Sequence, residues 1–139
     1  MKYVDLFCGI GSFHYSFNKL NWECIMSCDI DKTVRDTYKE NYGIMPLNDI
    51  TEIEPSNVSN YDILCAGFPC QPFSQCGQRK GFDDKRGTLF YNIMKFVVYH
   101  KPKIIILENV QGLINHDNGN TFKKMREDIE KENYKVRYK

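Results

Sequence analysis

The sequence has no apolar run approaching the roughly 18 residues that span a bilayer, which argues against a membrane-spanning segment. It has almost no net charge: 19 Lys+Arg stand against 18 Asp+Glu, for a formal +1. A strongly basic nucleic-acid coat protein or an acidic tail would need a large field of one sign, and neither fits this balance. The opening Met1-Lys2-Tyr3-Val4-Asp5 meets an acid before a signal-peptide core can form, so the expected location is the cytoplasm.

The six cysteines, at 8, 24, 28, 65, 70 and 76, include no pair at the two-residue gap of zinc ribbons and thioredoxin-type redox sites. No metal site and no disulfide is therefore expected. In a reducing compartment most of these thiols should be small core residues, which leaves room for one with a chemical task. His14, His100 and His116 show no ligand spacing and are assigned to surface or loop positions. There is no low-complexity tract, and no repeat beyond an alternation of strand and helix. At 139 residues the chain can bury a core within one domain.

That alternation is the main structural signal. Lys2 to Phe7 reads as a strand that ends in Cys8-Gly9-Ile10-Gly11-Ser12, after which Phe13, Phe17 and Leu20 recur at helical spacing. Trp22 to Cys28 reads as a second strand closed by Asp29-Ile30-Asp31, and Thr33 to Tyr42 as a helix ended by Gly43. A short third strand is expected at Ile44 to Leu47, a surface loop at Glu54 to Asn57, and a buried strand at Tyr61 to Ala66. A long polar segment from Gly67 to Arg86 follows, of a length that suggests function inside a compact domain.

Leu89, Ile93 and Val97, with Phe90, Met94 and Val98, then form the apolar face of a helix, and Lys103 to Leu107 reads as a central parallel strand. A last helix with Phe122, Met125 and Ile129 inward is expected to precede a strand at Tyr134 to Tyr138. The pattern predicts an α/β fold: a doubly wound, mostly parallel sheet with helices on both faces. Ligands of such sheets bind beyond the carboxyl ends of the strands, where the glycine turn, Asp29, Asp49, the 67–86 segment and Glu108 all fall.

Three constellations carry chemistry. Asp5 to Gly11 places glycines at a strand-to-helix turn, and Asp29, about 20 residues after Gly9, can accept hydrogen bonds from ribose hydroxyls, so a nucleoside-containing cofactor fits. His14 stands where a dinucleotide fingerprint needs its third glycine, which removes support for a pyrophosphate clamp and for a nicotinamide-binding redox protein. A turn serving only helix packing is the other reading. In Gly67-Phe68-Pro69-Cys70-Gln71-Pro72-Phe73-Ser74, two prolines stiffen the chain on either side of Cys70 and Gln71, which displays the thiol in place of packing it away. In Leu107-Glu108-Asn109-Val110 an acid follows apolar residues at a strand end. It should face a cleft, or else serve as a capping or salt-bridged carboxylate. Adjacent strands would bring Glu108 near Cys70, a plausible pairing of nucleophile and acid.

Taken with Arg86-Gly-Thr-Leu-Phe90, these motifs in this order resemble the cytosine-5 DNA methyltransferases of bacteria and phages. Gly81-Phe82 and His116 to Thr121 add a likeness to the HhaI-type enzymes. The resemblance covers nearly the whole chain. It implies S-adenosylmethionine as methyl donor and a cytosine flipped out of double-stranded DNA as acceptor. Cys70 would attack C6 of the ring and Glu108 would contact N3 and the exocyclic amine. Phe7, Gly9, Gly11, Asp29, Ile30, Asp49, Ile50, Pro69 and Leu89 would form the donor pocket, and Gln71, Ser74, Arg86 and Asn109 the substrate side.

Two departures bear on donor affinity: Cys8 stands where the family usually has alanine, and Asp29 where it usually has glutamate. The family also continues with a Gln-x-Arg-x-Arg motif, a target-recognition domain and a returning helix, none of which follows in these residues. The expectation is therefore the amino-terminal part of the catalytic domain, with one apolar sheet edge left open, either as a split subunit completed by a carboxyl-terminal methyltransferase chain or as a fragment of a longer reading frame. The alternative is a catalytically inactive relic that binds S-adenosylmethionine or a partner protein.

Overall fold

A computed structural model of the chain describes residues 1–69 and 88–139. Strands β1 (Lys2–Leu6), β2 (Glu23–Cys28), β3 (Ile63–Gly67) and β4 (Ile104–Glu108) form one parallel sheet in the order β2-β1-β3-β4. Helices α1 (Ser12–Asn18), α2 (Lys32–Tyr42), α3 (Thr88–His100), α4 (Gly112–Asn115) and α5 (Asn120–Lys131) make up the rest, with short 3-10 turns at Ile50–Glu52, Pro55–Asn57 and His116–Gly119.

Alternation along the strands divides the core in two. Val4 and Leu6 of β1, with Leu64 and Ala66 of β3, face Phe90, Ile93, Met94 and Val97 of α3 and Met125 and Ile129 of α5. Tyr3, Ile63 and Cys65 point the other way and pack under Phe17 and the partly buried Phe13 of α1. Full burial of an aliphatic side chain such as Leu64 or Ile93 contributes roughly 1.5–3 kcal/mol, so both layers hold the sheet by packing. Helices thus cover both faces, as the alternation of elements predicts.

α2 starts where Asp31 accepts hydrogen bonds from the N–H groups of Thr33 at 2.8 Å and Val34 at 3.4 Å. It stops at Gly43, whose φ of 71° gives the left-handed cap. The stop follows the sequence signal, while the start lies one residue before the expected Thr33, with Asp31 as the cap. On α3, Phe96 is buried and Val98 is 48% exposed, which moves the apolar face by part of a turn from the one expected. Leu20 lies outside α1 and is exposed.

Three strand expectations need correction. Residues 44–47 form no strand: Leu47 alone bridges Cys28, donating its N–H to Ser27 O at 2.9 Å and accepting from Asp29 N–H at 3.0 Å. Pro46, just before it, has no N–H with which to extend a ladder. The Lys103–Leu107 strand is observed as β4, which is outermost and not central among the described strands, and its Ile104 is 42% exposed. Residues 134–138 form no strand either, although they keep their alternation. Tyr134 and Val136 pack on the core, Tyr138 meets the Phe122 ring at 4.9 Å, and the Tyr134 hydroxyl donates to Pro102 O at 2.6 Å. Side-chain packing holds this segment beside β4 without ladder bonds. A groove of about 870 Å³ runs there, lined among others by Ile104, Leu107, Leu113, Phe122 and Val136. No helix among the described residues is long and apolar enough to cross a membrane.

Candidate active site

The carboxyl ends of the strands bring the chemistry-bearing segments to one rim. The turn after β1 holds three residues at positive φ: Phe7 at 59°, Gly9 at 55° and Gly11 at 94°. A side chain at Gly9 would meet nothing within 4 Å, so the turn opens a cradle there. At Gly11 a Cβ would lie 2.3 Å from Tyr42 Cε2, so only glycine fits.

Asp29, just past β2, ties this turn to its neighbour. Its Oδ2 accepts the Gly9 N–H at 2.9 Å and its Oδ1 accepts the Asp31 N–H at 3.0 Å. Ile30 beside it is 70% exposed, an apolar surface next to a carboxylate. Asp49 Oδ1 caps the next turn by accepting from Thr51 N–H at 2.8 Å. Ile50 belongs to the core at 4% exposure, so it offers a ligand little surface. Leu89, at the start of α3, is half-buried against the core, and Pro69 is exposed.

On the other side of β1, the end of β3 meets the end of β4. Gly67 and Glu108 are register partners, and Glu108 is exposed. A side chain on Gly67 would begin 3.4 Å from Glu108 Oε2 and 3.9 Å from the Phe7 carbonyl oxygen. The acid and the glycine turn therefore converge on one point at the end of β3. Asn109 donates from Nδ2 to the Phe68 carbonyl at 2.8 Å, and its Oδ1 accepts the Val110 N–H at 2.9 Å. Cys70, Gln71, Ser74 and Arg86 lie outside the described residues, as do Cys76 and most of the 67–86 segment.

The other thiols behave as core groups. Cys8, Cys28 and Cys65 are buried and free, and burial pushes their acidity down, raising the pKa of Cys28 to about 12. Such thiols are poor nucleophiles. No group of three potential metal ligands was found among the described residues.

Two features escaped sequence reasoning. His14 is not a surface or loop residue: it is buried on α1, its Nδ1 lies 2.7 Å from the Tyr38 hydroxyl, and its ring stacks on Tyr42 at 4.2 Å. Burial lowers its pKa. Tyr42 in turn donates to Gly11 O at 3.1 Å, so α2 buttresses the glycine turn from behind. The signal was available in Tyr38 and Tyr42, four residues apart and hence on one helix face. The second is Asp5, fully buried on β1 with neither carboxylate oxygen hydrogen-bonded. Burial first, and the nearby Asp29 charge second, raise its pKa to about 7. An acid inside an apolar strand was the visible clue.

Comparison with known proteins gives a consistent picture. A family model described as C-5 cytosine-specific DNA methylase matches residues 1–139. The type II methyltransferase M.MspI of Moraxella sp. is 46% identical over 138 residues, 99% of this chain and 33% of its own length. The type II methyltransferase M.HhaI of Haemophilus parahaemolyticus is 41% identical over 134 residues, 96% of this chain and 41% of its own. The crystal structure of the S. pombe Dnmt2 methyltransferase is similar at a TM-score of 0.70 and 26% identity, over 91% of this chain and 41% of that one. The chain thus spans well under half the length of these relatives.

Proposed function

The chain belongs to the C-5 cytosine-specific DNA methylase family, and from that premise we propose that it supplies the donor-binding and nucleophile-bearing part of a methylase acting on cytosine C5 in double-stranded DNA. The observation that carries this reading is the convergence at Gly67, where Glu108 Oε2 and the Phe7 carbonyl flank one point at 3.4 Å and 3.9 Å. A donor held on the glycine turn and a base held by Glu108 would meet there.

The turn suits S-adenosylmethionine. Gly9 faces open space, Asp29 offers a carboxylate for ribose hydroxyls, and exposed Ile30 offers an apolar wall for an adenine. Phe7, Gly11, Asp49, Pro69 and Leu89 complete the proposed pocket. When bound, this cofactor supplies an electrophilic methyl group.

The protein's own part is to make cytosine C5 nucleophilic. Addition of the Cys70 thiolate at C6 breaks the aromaticity of the ring, and Glu108 at N3 and the exocyclic amine stabilises the charge that addition creates. Loss of the C5 proton and expulsion of Cys70 restore the ring. Gln71, Ser74 and Arg86 serve the substrate side. The proposed setting is the cytoplasm of a bacterium or a phage-infected cell. The remaining donor contacts and the target reader would come from a carboxyl-terminal half, on the same polypeptide or on a partner methyltransferase chain.

The deciding experiment combines this chain with such a carboxyl-terminal half and follows tritiated methyl transfer to DNA. Transfer should occur, and DNA carrying 5-fluorocytosine should be trapped covalently, because fluorine cannot leave as the proton does. Cys70→Ala should abolish the adduct, and an adduct that survives the change would reassign the nucleophile. Heat of donor binding without any transfer would favour the relic.

A further inference from the structure

Resting on the methylase reading above, we infer that Asn109 is a positioning residue: its side chain clamps the Phe68 carbonyl and so sets where the nucleophile-bearing segment leaves the sheet. The family resemblance placed Asn109 on the substrate side. Its observed hydrogen bonds both go to backbone, Nδ2 to Phe68 O at 2.8 Å and Oδ1 from Val110 N–H at 2.9 Å.

The need for such a clamp follows from the local chain. The β3–β4 ladder ends at the pair Gly67↔Glu108. Pro69, two residues further, has no N–H and cannot carry the pairing on. Phe68 is nonetheless buried at 4% exposure, its ring 6.3 Å from that of Phe90. A carbonyl in that setting without a donor would cost about 1–3 kcal/mol. The Asn109 amide supplies the missing rung from the side chain of the neighbouring strand.

The residue type is also constrained. The position must donate to one backbone group and accept from another at the same time. Among side chains of this length only an amide does both; aspartate, ionised, accepts only. Glu108 and Asn109 therefore divide two tasks between consecutive residues. One presents the carboxylate over Gly67, and the other holds Phe68, two residues before Cys70 in sequence. Misplacing a reacting group by about 1 Å can cost roughly a hundredfold in rate, so a clamp at this distance along the chain acts on the chemical step.

The test uses the complex of this chain with the carboxyl-terminal half, as wild type, Asn109→Ala and Asn109→Asp. Single-turnover adduct formation on 5-fluorocytosine DNA should slow by about tenfold to a hundredfold in both variants, with the DNA KM and donor Kd within roughly twofold of wild type. Hydrogen exchange should quicken in peptides covering residues 68–76 and stay unchanged in those covering β4. The sharper arm is Asn109→Asp, which keeps the acceptor for Val110 and sets a carboxylate oxygen against the Phe68 carbonyl in place of the donor. Wild-type rates in Asn109→Asp, a defect confined to the DNA KM, or unaltered exchange would each overturn the clamp. Should the wild-type complex form no adduct, the methylase reading fails, and the exchange comparison alone then decides the clamp, acceleration supporting it and identity refuting it.

Discussion

Gly67 and Glu108 face each other across β3 and β4, and the Glu108 carboxylate ends 3.4 Å from where a side chain on Gly67 would begin. The pair leaves room for a methyl group in ordinary contact with the acid and no more. Gly67→Ala should leave both the fold and the carboxylate in place, yet fill the point where the base is proposed to sit. The expected loss is about tenfold in kcat with Tm nearly unchanged. Glu108→Gln should cost more, on the order of 10²–10⁴ in kcat, with donor Kd by calorimetry unaltered. Equal donor-binding losses in both variants would show that Glu108 serves the pocket and not the base.

The two glycines of the turn should respond differently. Gly9→Ala meets open space and suffers mainly from its φ of 55°, a cost of about 1–2 kcal/mol, but its methyl would project into the proposed donor cradle. Donor affinity should fall while a folded chain survives. Gly11→Ala drives a methyl into Tyr42 at 2.3 Å and should destabilise by about 3 kcal/mol or more. Adding Tyr42→Ala should recover part of that loss. Thermal melts of the two single variants and the double variant decide it, and additive losses would mean that Tyr42 is not the obstacle.

Asp5 makes stability depend on pH in an unusual sense. Its folded pKa is raised from 3.8 to about 7, so the native state binds the extra proton. Stability from this group is complete below the unfolded pKa and is lost as pH rises through the folded one, by up to roughly 4 kcal/mol at alkaline pH. Urea melts of wild type should therefore show a decline between about pH 4 and pH 7 that Asp5→Asn removes. A parallel decline in the variant would assign the effect to another group.

Asp29 holds two backbone N–H groups, one on the glycine turn and one at the head of α2. Asp29→Ala frees both and removes the proposed ribose contact, so donor affinity should drop by about tenfold or more. Calorimetry on the complete complex measures it. An unchanged Kd would place the ribose elsewhere.

Much of the fold was legible because each crossover repeats the same signal. The Gly43 stop of α2 and the apolar runs of β1, β3 and β4 are local chemistry that the chain writes openly. What failed depended on neighbours distant in sequence. Whether Leu47 gains one bridge or a full ladder depends on Pro46 and on the edge of β2. The burial of His14 depends on Tyr38 and Tyr42 arriving from α2, 24 and 28 positions away in sequence. In the candidate site, the motifs pointed to Glu108 and the turn, but only the β3–β4 register brings them to one point. The partner of Asn109 was invisible for the same reason: no spacing rule links it to Phe68, 41 positions earlier.

The placement of β1 between β2 and β3 has a consequence for biosynthesis. β1 leaves the ribosome well before β3, with which it pairs through Tyr3 and Ile63, so it must wait, half-matched, for a segment made much later. At roughly 5–20 residues per second that interval lasts on the order of several seconds. During it Val4 and Leu6 lack one of their two neighbours, and a chaperone that shields β1 as it emerges should raise the yield of native chain more than one supplied after release.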